Sequence, residues 1–306
     1  MSLNSLFANR TDLAEGSKKH YRYIFHKAVD IFPDAEEETF NFSNSQAKIA
    51  EVINNADVKN YLKYELFKLA MVFRSADGRP TNSLIANFNK TKKLVEADGK
   101  EKLADLEIPD YENYFRENEK FAVFNQQKYI VNRLIQLYGF RNQDLDMEMV
   151  KQVGKGAKTI ENNDNVLIIK QRLVTLRINK YKTLRTYGTK TISFTKKEHP
   201  ILYKAIDTYY KEGYSHLLSR QGKTKEHISP KSIHSHIRTL TAGFGTGTLF
   251  KSIVKFHREK GDLTKLTELS KSRGTSMELI SSTYNQQVMA KSPSPDVTGI
   301  TEDVTE

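Results

Sequence analysis

Strict alternation of apolar and polar residues, the mark of a half-buried strand, is confined in this chain to one short region between residues 166 and 194. Three strand candidates lie there: 166–169, 173–178 and 189–194. In the second, Val174, Leu176 and Ile178 alternate with Leu173, Thr175 and Arg177. Everywhere else the apolar residues recur at intervals of three and four, which places them on one face of a helix. The expected fold is therefore mainly α with a small antiparallel sheet.

Helices are predicted over 17–32, 45–55, 58–74 and 81–96 in the first third of the chain. The first carries Tyr21, Ile24, Ala28 and Ile31 on one stripe, and the third carries Leu62, Leu66, Leu69 and Phe73. A further helix over 119–138 buries Phe121, Phe124, Tyr129, Ile130 and Leu134 and stops at Gly139, a residue suited to a left-handed cap. Helices resume at 201–212, 230–241, 249–260, 263–271 and 276–284. The expected organisation is a helical domain over 1–100, a Gly-, Pro- and charge-rich linker over 101–117, a second domain over 118–285, and a disordered acidic tail over 286–306.

Charge is distributed unevenly over this plan. Residues 1–116 hold 17 Lys/Arg against 18 Asp/Glu, whereas 117–285 hold 30 against 15. Within 151–197 there are 12 basic residues and 2 acidic ones. Such a field draws polyanions, and double-stranded DNA is the expected partner. No apolar run reaches the roughly 18 residues of a membrane span, and the N-terminus lacks the layout of a signal peptide. With no cysteine, disulfides, thiolate zinc sites and a cysteine nucleophile are excluded. These features lead to the expectation of an intracellular protein, located wherever its DNA lies, with no membrane partner.

The eight histidines show no metal-binding spacing, since His234 and His236 point to different helix faces. Residues 243–252 look superficially like a nucleotide phosphate loop. However, Phe250 stands before Lys251 where a glycine is required, and no parallel-sheet pattern surrounds the segment. A glycine-rich turn opening a helix can still hold a phosphate.

Four landmarks occur in order along the basic region. Leu137-Tyr138-Gly139-Phe140-Arg141-Asn142-Gln143-Asp144-Leu145 joins a helix end, a glycine turn, an arginine and an acidic residue followed by leucine. A basic loop over 180–188, containing Lys180, Lys182 and Arg185, lies between the second and third strand candidates. A leucine-rich helix over 263–271 runs into Ser272-Arg273-Gly274-Thr275-Ser276. Tyr284 follows Thr275 by nine residues. This layout resembles the tyrosine recombinase (phage-type integrase) family as a divergent member.

The resemblance implies a two-domain clamp around DNA, formed by a helical core-binding domain and a catalytic domain. It implies site-specific recombination or integration, by cleavage and rejoining of DNA through a 3′-phosphotyrosyl intermediate, in a virus or other mobile element. The chemistry uses no metal or other cofactor, and a dimer or tetramer assembles on the DNA. Carried onto this sequence, the catalytic candidates are Tyr284 as nucleophile, Arg141, Lys182 (with Lys180 next) and Lys251. Lys180, Arg185, Lys190, Lys255, His257, Arg258 and Arg273 are candidate DNA contacts. Three positions depart from the family pattern: Thr248 replaces a histidine, Lys251 an arginine, and Thr275 a histidine or tryptophan. The alternatives are a catalytically impaired DNA-binding protein of the same fold and a type IB topoisomerase-like nicking-closing enzyme.

Overall fold

The computed structural model describes residues 3–9, 15–33, 35–36, 40–104, 107–152, 164–223 and 226–281. The chain divides into two compact units, 1–105 and 106–306.

The first unit is helical: α1 (Leu3–Asn9), α2 (Glu15–Ile31), α3 (Gln46–Asn55), α4 (Asn60–Ala76) and α5 (Asn82–Ala104). Ile24 and Ala28 of the predicted α2 stripe are fully buried, as are Leu66, Leu69 and Phe73 of α4. Its core is aromatic, with Phe25 stacked on Phe73 at 5.7 Å and Phe40 packed on Phe42 at 4.6 Å. Phe42 sits at φ 55, so the non-helical segment around it turns sharply and buries carbonyls no helix can satisfy. Arg74, itself buried, supplies the missing donors to Phe42 O (3.2 Å), Asn44 O (2.8 Å) and Pro80 O (2.9 Å).

The second unit contains α6 (Tyr111–Glu119), α7 (Phe121–Phe124), α8 (Gln126–Tyr138), β1 (Met147–Lys151), β2 (Asn165–Ile169), β3 (Leu173–Ile178), α9 (Leu184–Tyr187), β4 (Lys190–Thr195), α10 (Pro200–Lys211), α11 (Ile233–Leu240), α12 (Thr246–Glu259) and α13 (Leu263–Arg273). The strands form one sheet in the order β1-β2-β3-β4. β2–β3 and β3–β4 are antiparallel, but β1 pairs parallel to β2, so the sheet is mixed rather than antiparallel. Val174, Leu176 and Ile178 face inward, as their alternation predicts. α8 packs at the centre of this unit against α6, α10, α12 and α13. Its Ile130, Leu134 and Ile135 are fully buried in one core with the inward sheet residues.

Two further expectations give way to the structure. The 101–117 linker is partly helical: α5 continues to Ala104, and α6 contributes Tyr111, Tyr114 and Phe115 to the second core. The single helix expected over 119–138 is broken at Asn125, whose side chain accepts from Lys128 N at 3.0 Å and starts α8 afresh.

Candidate active site

Three separate chain segments meet at the C-terminal end of α8. The first is the turn that ends that helix. Gly139 adopts the left-handed conformation (φ 65) and donates its N–H to Ile135 O at 2.8 Å. Phe140 is then buried and Arg141 emerges half-buried. A compact turn fixes its backbone: Arg141 N–H donates to Asp144 Oδ2 at 2.9 Å, and Asp144 N–H returns to Arg141 O at 2.9 Å.

The second segment is the end of α13. Arg273 donates to Gly139 O and lies over the Phe250 ring at 3.9 Å. Its own carbonyl accepts from Arg141 Nη1 at 2.6 Å, and Ser272 Oγ donates to Tyr138 O at 2.8 Å. The two turns are thereby tied to each other across 132 residues of sequence.

The third segment is the β3–β4 hairpin. Thr183 Oγ1 donates to Gly274 O at 2.8 Å, and Lys190 Nζ donates to Ser272 O at 3.1 Å while lying 4.1 Å from the Tyr181 ring centroid. Gly274 (φ 63) is a glycine for two reasons: its backbone is left-handed, and an added Cβ would come within 2.4 Å of Lys190 Nζ.

One carboxylate serves this group of cations. Asp144 is 2% exposed, and burial raises its pKa against the Arg141 N–H and the charges of Arg141, Arg273 and Lys190. Its second oxygen has no hydrogen-bond partner among the described residues. The pKa of Lys190 is lowered to about 8, mainly by burial; Asp144 opposes the shift and Arg141 adds to it. An amine in that range exchanges its proton readily near neutral pH.

A fourth segment touches the same region from α12. Thr246 Oγ1 donates to Asn142 Oδ1 at 2.9 Å, joining the helix start to the residue after Arg141. Lys251 is half-buried, with its pKa lowered by burial, and no ion pair is recorded for it among the described residues. Thr275 is buried, and its carbonyl accepts from Ser270 Oγ at 2.6 Å.

The lysine brought to Arg141 is Lys190, not the two named from the loop. Lys182 is exposed, and Lys180 pairs with Asp164 on the surface. The reason is visible in β4, where Lys190, Ile192 and Phe194 share the inward parity. Lys190 is thus an inward residue of a strand, whereas Lys182 sits in the connecting turn. Of the other candidate contacts, Arg273 is drawn into the cluster, Arg185 is exposed and Arg258 is half-buried. Lys255 reaches Glu259 at 3.8 Å. His257 is held structurally, with Nδ1 3.1 Å from Asp262 Oδ2 and the ring edge-on to Tyr111 and Phe256. Tyr284 lies outside the described residues; the chain before it is helical over 277–281, with Ile280 buried.

A cavity of about 770 Å³ adjoins the Arg141 turn through Asn142 and Gln143. It contains a stacked His216–His227 pair at 4.5 Å, with His227 Nε2 2.7 Å from Asp146 Oδ1. No cluster of three His, Asp or Glu that could hold a metal ion occurs among the described residues, and no described helix is long and apolar enough to cross a membrane.

No protein-family model matches the chain, and no curated protein does. A crystal structure of XerA recombinase aligns over 93% of this chain and 90% of that chain, at 12% identity and a TM-score of 0.35. A likeness of that degree supports neither a fold nor an activity assignment.

Proposed function

We propose that the protein binds duplex DNA and cleaves and rejoins it as a tyrosine recombinase or integrase of a mobile element does. In this reading Tyr284 gives up its phenolic proton to solvent and its oxygen attacks a backbone phosphorus. The new bond is P–O to the phenolic oxygen, the bond lost is P–O5′, and the 5′ oxygen leaves with a proton. Arg141 and Lys251 stabilise the charge that builds on the non-bridging oxygens. Lys190 takes the proton-donor role expected of Lys182, because a lysine lowered to about 8 carries a transferable proton near neutral pH. The phosphotyrosyl ester conserves the bond energy, so rejoining needs neither ATP nor metal. The 1–100 unit acts as the helical half of the clamp and 118–285 as the catalytic half, with assembly into a dimer or tetramer on DNA.

The observation that supports this reading most is the convergence of Arg141, Lys190 and Arg273, from three distant segments, on the carbonyls of the turns after α8 and α13. One observation favours a second reading, DNA binding without cleavage. Arg141 and Arg273 each commit an N–H to a backbone carbonyl, and lysine at 251 lacks the two-pronged geometry of arginine.

A suicide DNA substrate, nicked beside the scissile phosphate, separates the two. The recombinase reading predicts a covalent protein–DNA adduct on a denaturing gel. Tyr284→Phe abolishes it while DNA affinity stays within about twofold, and Lys190→Met slows its formation by roughly 10²–10⁴-fold. No wild-type adduct on several DNA sequences leaves the binding-only reading. An adduct that persists in Tyr284→Phe moves the nucleophile, first to Tyr187, which is 45% exposed on the hairpin, rather than to Tyr214, which is stacked on Tyr209 at 4.1 Å.

A further inference from the structure

The site described above uses one end of the sheet, where Ile178 pairs with Lys190. The other end, where Leu173 pairs with Thr195, carries a separate group of cations. Two turns meet there. Lys170 to Leu173 reverses the chain between β2 and β3, with Lys170 N–H donating to Leu173 O at 2.8 Å. The second turn follows β4 and is joined to the first by Lys196 N–H donating to Arg172 O at 2.9 Å. Tyr203 of α10 holds the first turn from beneath, its hydroxyl 2.7 Å from Lys170 O and 2.8 Å from Gln171 O. Both turns are therefore rigidly placed.

Lys170, Arg172, Lys196 and Lys197 stand on these turns; Arg172, Lys196 and Lys197 are exposed, and Lys170 is half-buried. No ion pair is recorded for any of the four among the described residues, whereas neighbouring Lys151 and Lys211 share the one carboxylate of Asp207. Glu198, the one acid in the two turns, is directed onto the backbone, accepting from Thr195 N–H at 2.6 Å. The β4 strand separates this group from Lys190 by about 17 Å, at roughly 3.4 Å per residue, so one phosphate cannot serve both ends.

We propose that these four residues form a second polyanion-binding surface, at the far end of the sheet from the candidate active site, that takes the phosphate backbone of DNA. The inference rests on the DNA-binding reading above. Nucleic acid fits better than an acidic protein segment, because none of five cavities found among the described residues is lined by these four. Exposed cations on convex turns match a regular array of phosphates without needing pockets for side chains.

The test compares wild type with a Lys170→Gln/Arg172→Gln/Lys196→Gln/Lys197→Gln variant of the full chain. DNA affinity is measured across a salt series, with thermal unfolding to establish that the variant is folded. Each lost phosphate contact lowers the slope of log affinity against log salt by about 0.9, so the variant is expected to lose about 2 to 4 from the slope. A folded variant with the wild-type slope overturns the surface while leaving DNA binding at the other end intact. Wild-type protein that shows no salt-dependent DNA binding overturns the DNA-binding reading, and the surface with it. A variant that loses affinity for poly-glutamate but none for duplex overturns the assignment to DNA in favour of an acidic protein partner.

Discussion

Replacing Lys190 by methionine tests whether its amine is held in a setting that disfavours charge. In the folded protein its pKa is lowered to about 8, against about 10.4 for an ordinary lysine. Below pH 8 the folded and unfolded chains both hold this proton, and the folded state bears the full cost of the buried charge. Between about 8 and 10.4 the unfolded chain holds more protons than the folded one, so stability rises with pH across that window. Above it both forms are neutral and the cost has gone. A shift of this size corresponds to about 3 kcal/mol at most, and partial solvent access reduces the expectation to about 2 kcal/mol between pH 7 and 10. Urea unfolding of the second unit, for wild type and Lys190→Met at half-unit steps over that range, isolates the contribution, because other titrating groups cancel in the difference. Wild type should gain on the variant steadily as pH rises from 8. A difference that is flat from pH 7 to 10, or one that falls, would refute the reasoning.

Other predictions follow from the same contacts. Asp144→Asn removes the one charge that raises the Lys190 pKa, so an NMR titration of that amine should move further below 8. Gly274→Ala puts a Cβ into a left-handed backbone and against Lys190 Nζ and Thr183 Oγ1; a loss of about 2–3 kcal/mol in urea unfolding is expected. Arg74→Ala orphans the Asn44 and Pro80 carbonyls in the first unit, Phe42 O keeping its bond from Arg79, and should cost about 2–3 kcal/mol there in urea unfolding. A phosphate docked beside Lys190 raises its pKa, so DNA binding near pH 8 should take up protons, seen calorimetrically as dependence on buffer ionisation enthalpy; Lys190→Met should reduce the dependence.

The sequence made some of this legible and concealed the rest for identifiable reasons. Gly139 announced the end of α8 because only a left-handed cap satisfies the helix's last carbonyls there. The β3 strand was visible because one of its faces is buried. β1 was not, since Met147-Glu148-Met149-Val150-Lys151 is written in residues with little strand preference and becomes a strand by pairing with β2. α6 was hidden among its charges. Its Tyr111 stacks on Phe256 at 3.8 Å, and Tyr114 donates to Asn132 at 2.7 Å, contacts that come from residues far along the chain.

Lys190 shows most clearly what local reading misses. Its parity with Ile192 and Phe194 was present in the sequence and marked an inward-facing lysine. A buried lysine demands compensation, and the compensation lies on segments that no local pattern connects to it. Asp144 offers one carboxylate to Arg141, Lys190 and Arg273 together, and that carboxylate is itself pushed toward its neutral form by burial. Burial is the main cause of the lowered Lys190 pKa; the Asp144 charge opposes the shift and Arg141 adds to it. Arg141, Lys190 and Arg273 are each tied down by a bond to a backbone carbonyl, which fixes position without cancelling charge. Preorganised cations are what binding a phosphodiester at its transition state requires. That preorganisation, rather than the identity of any one residue, links the fold to the proposed chemistry.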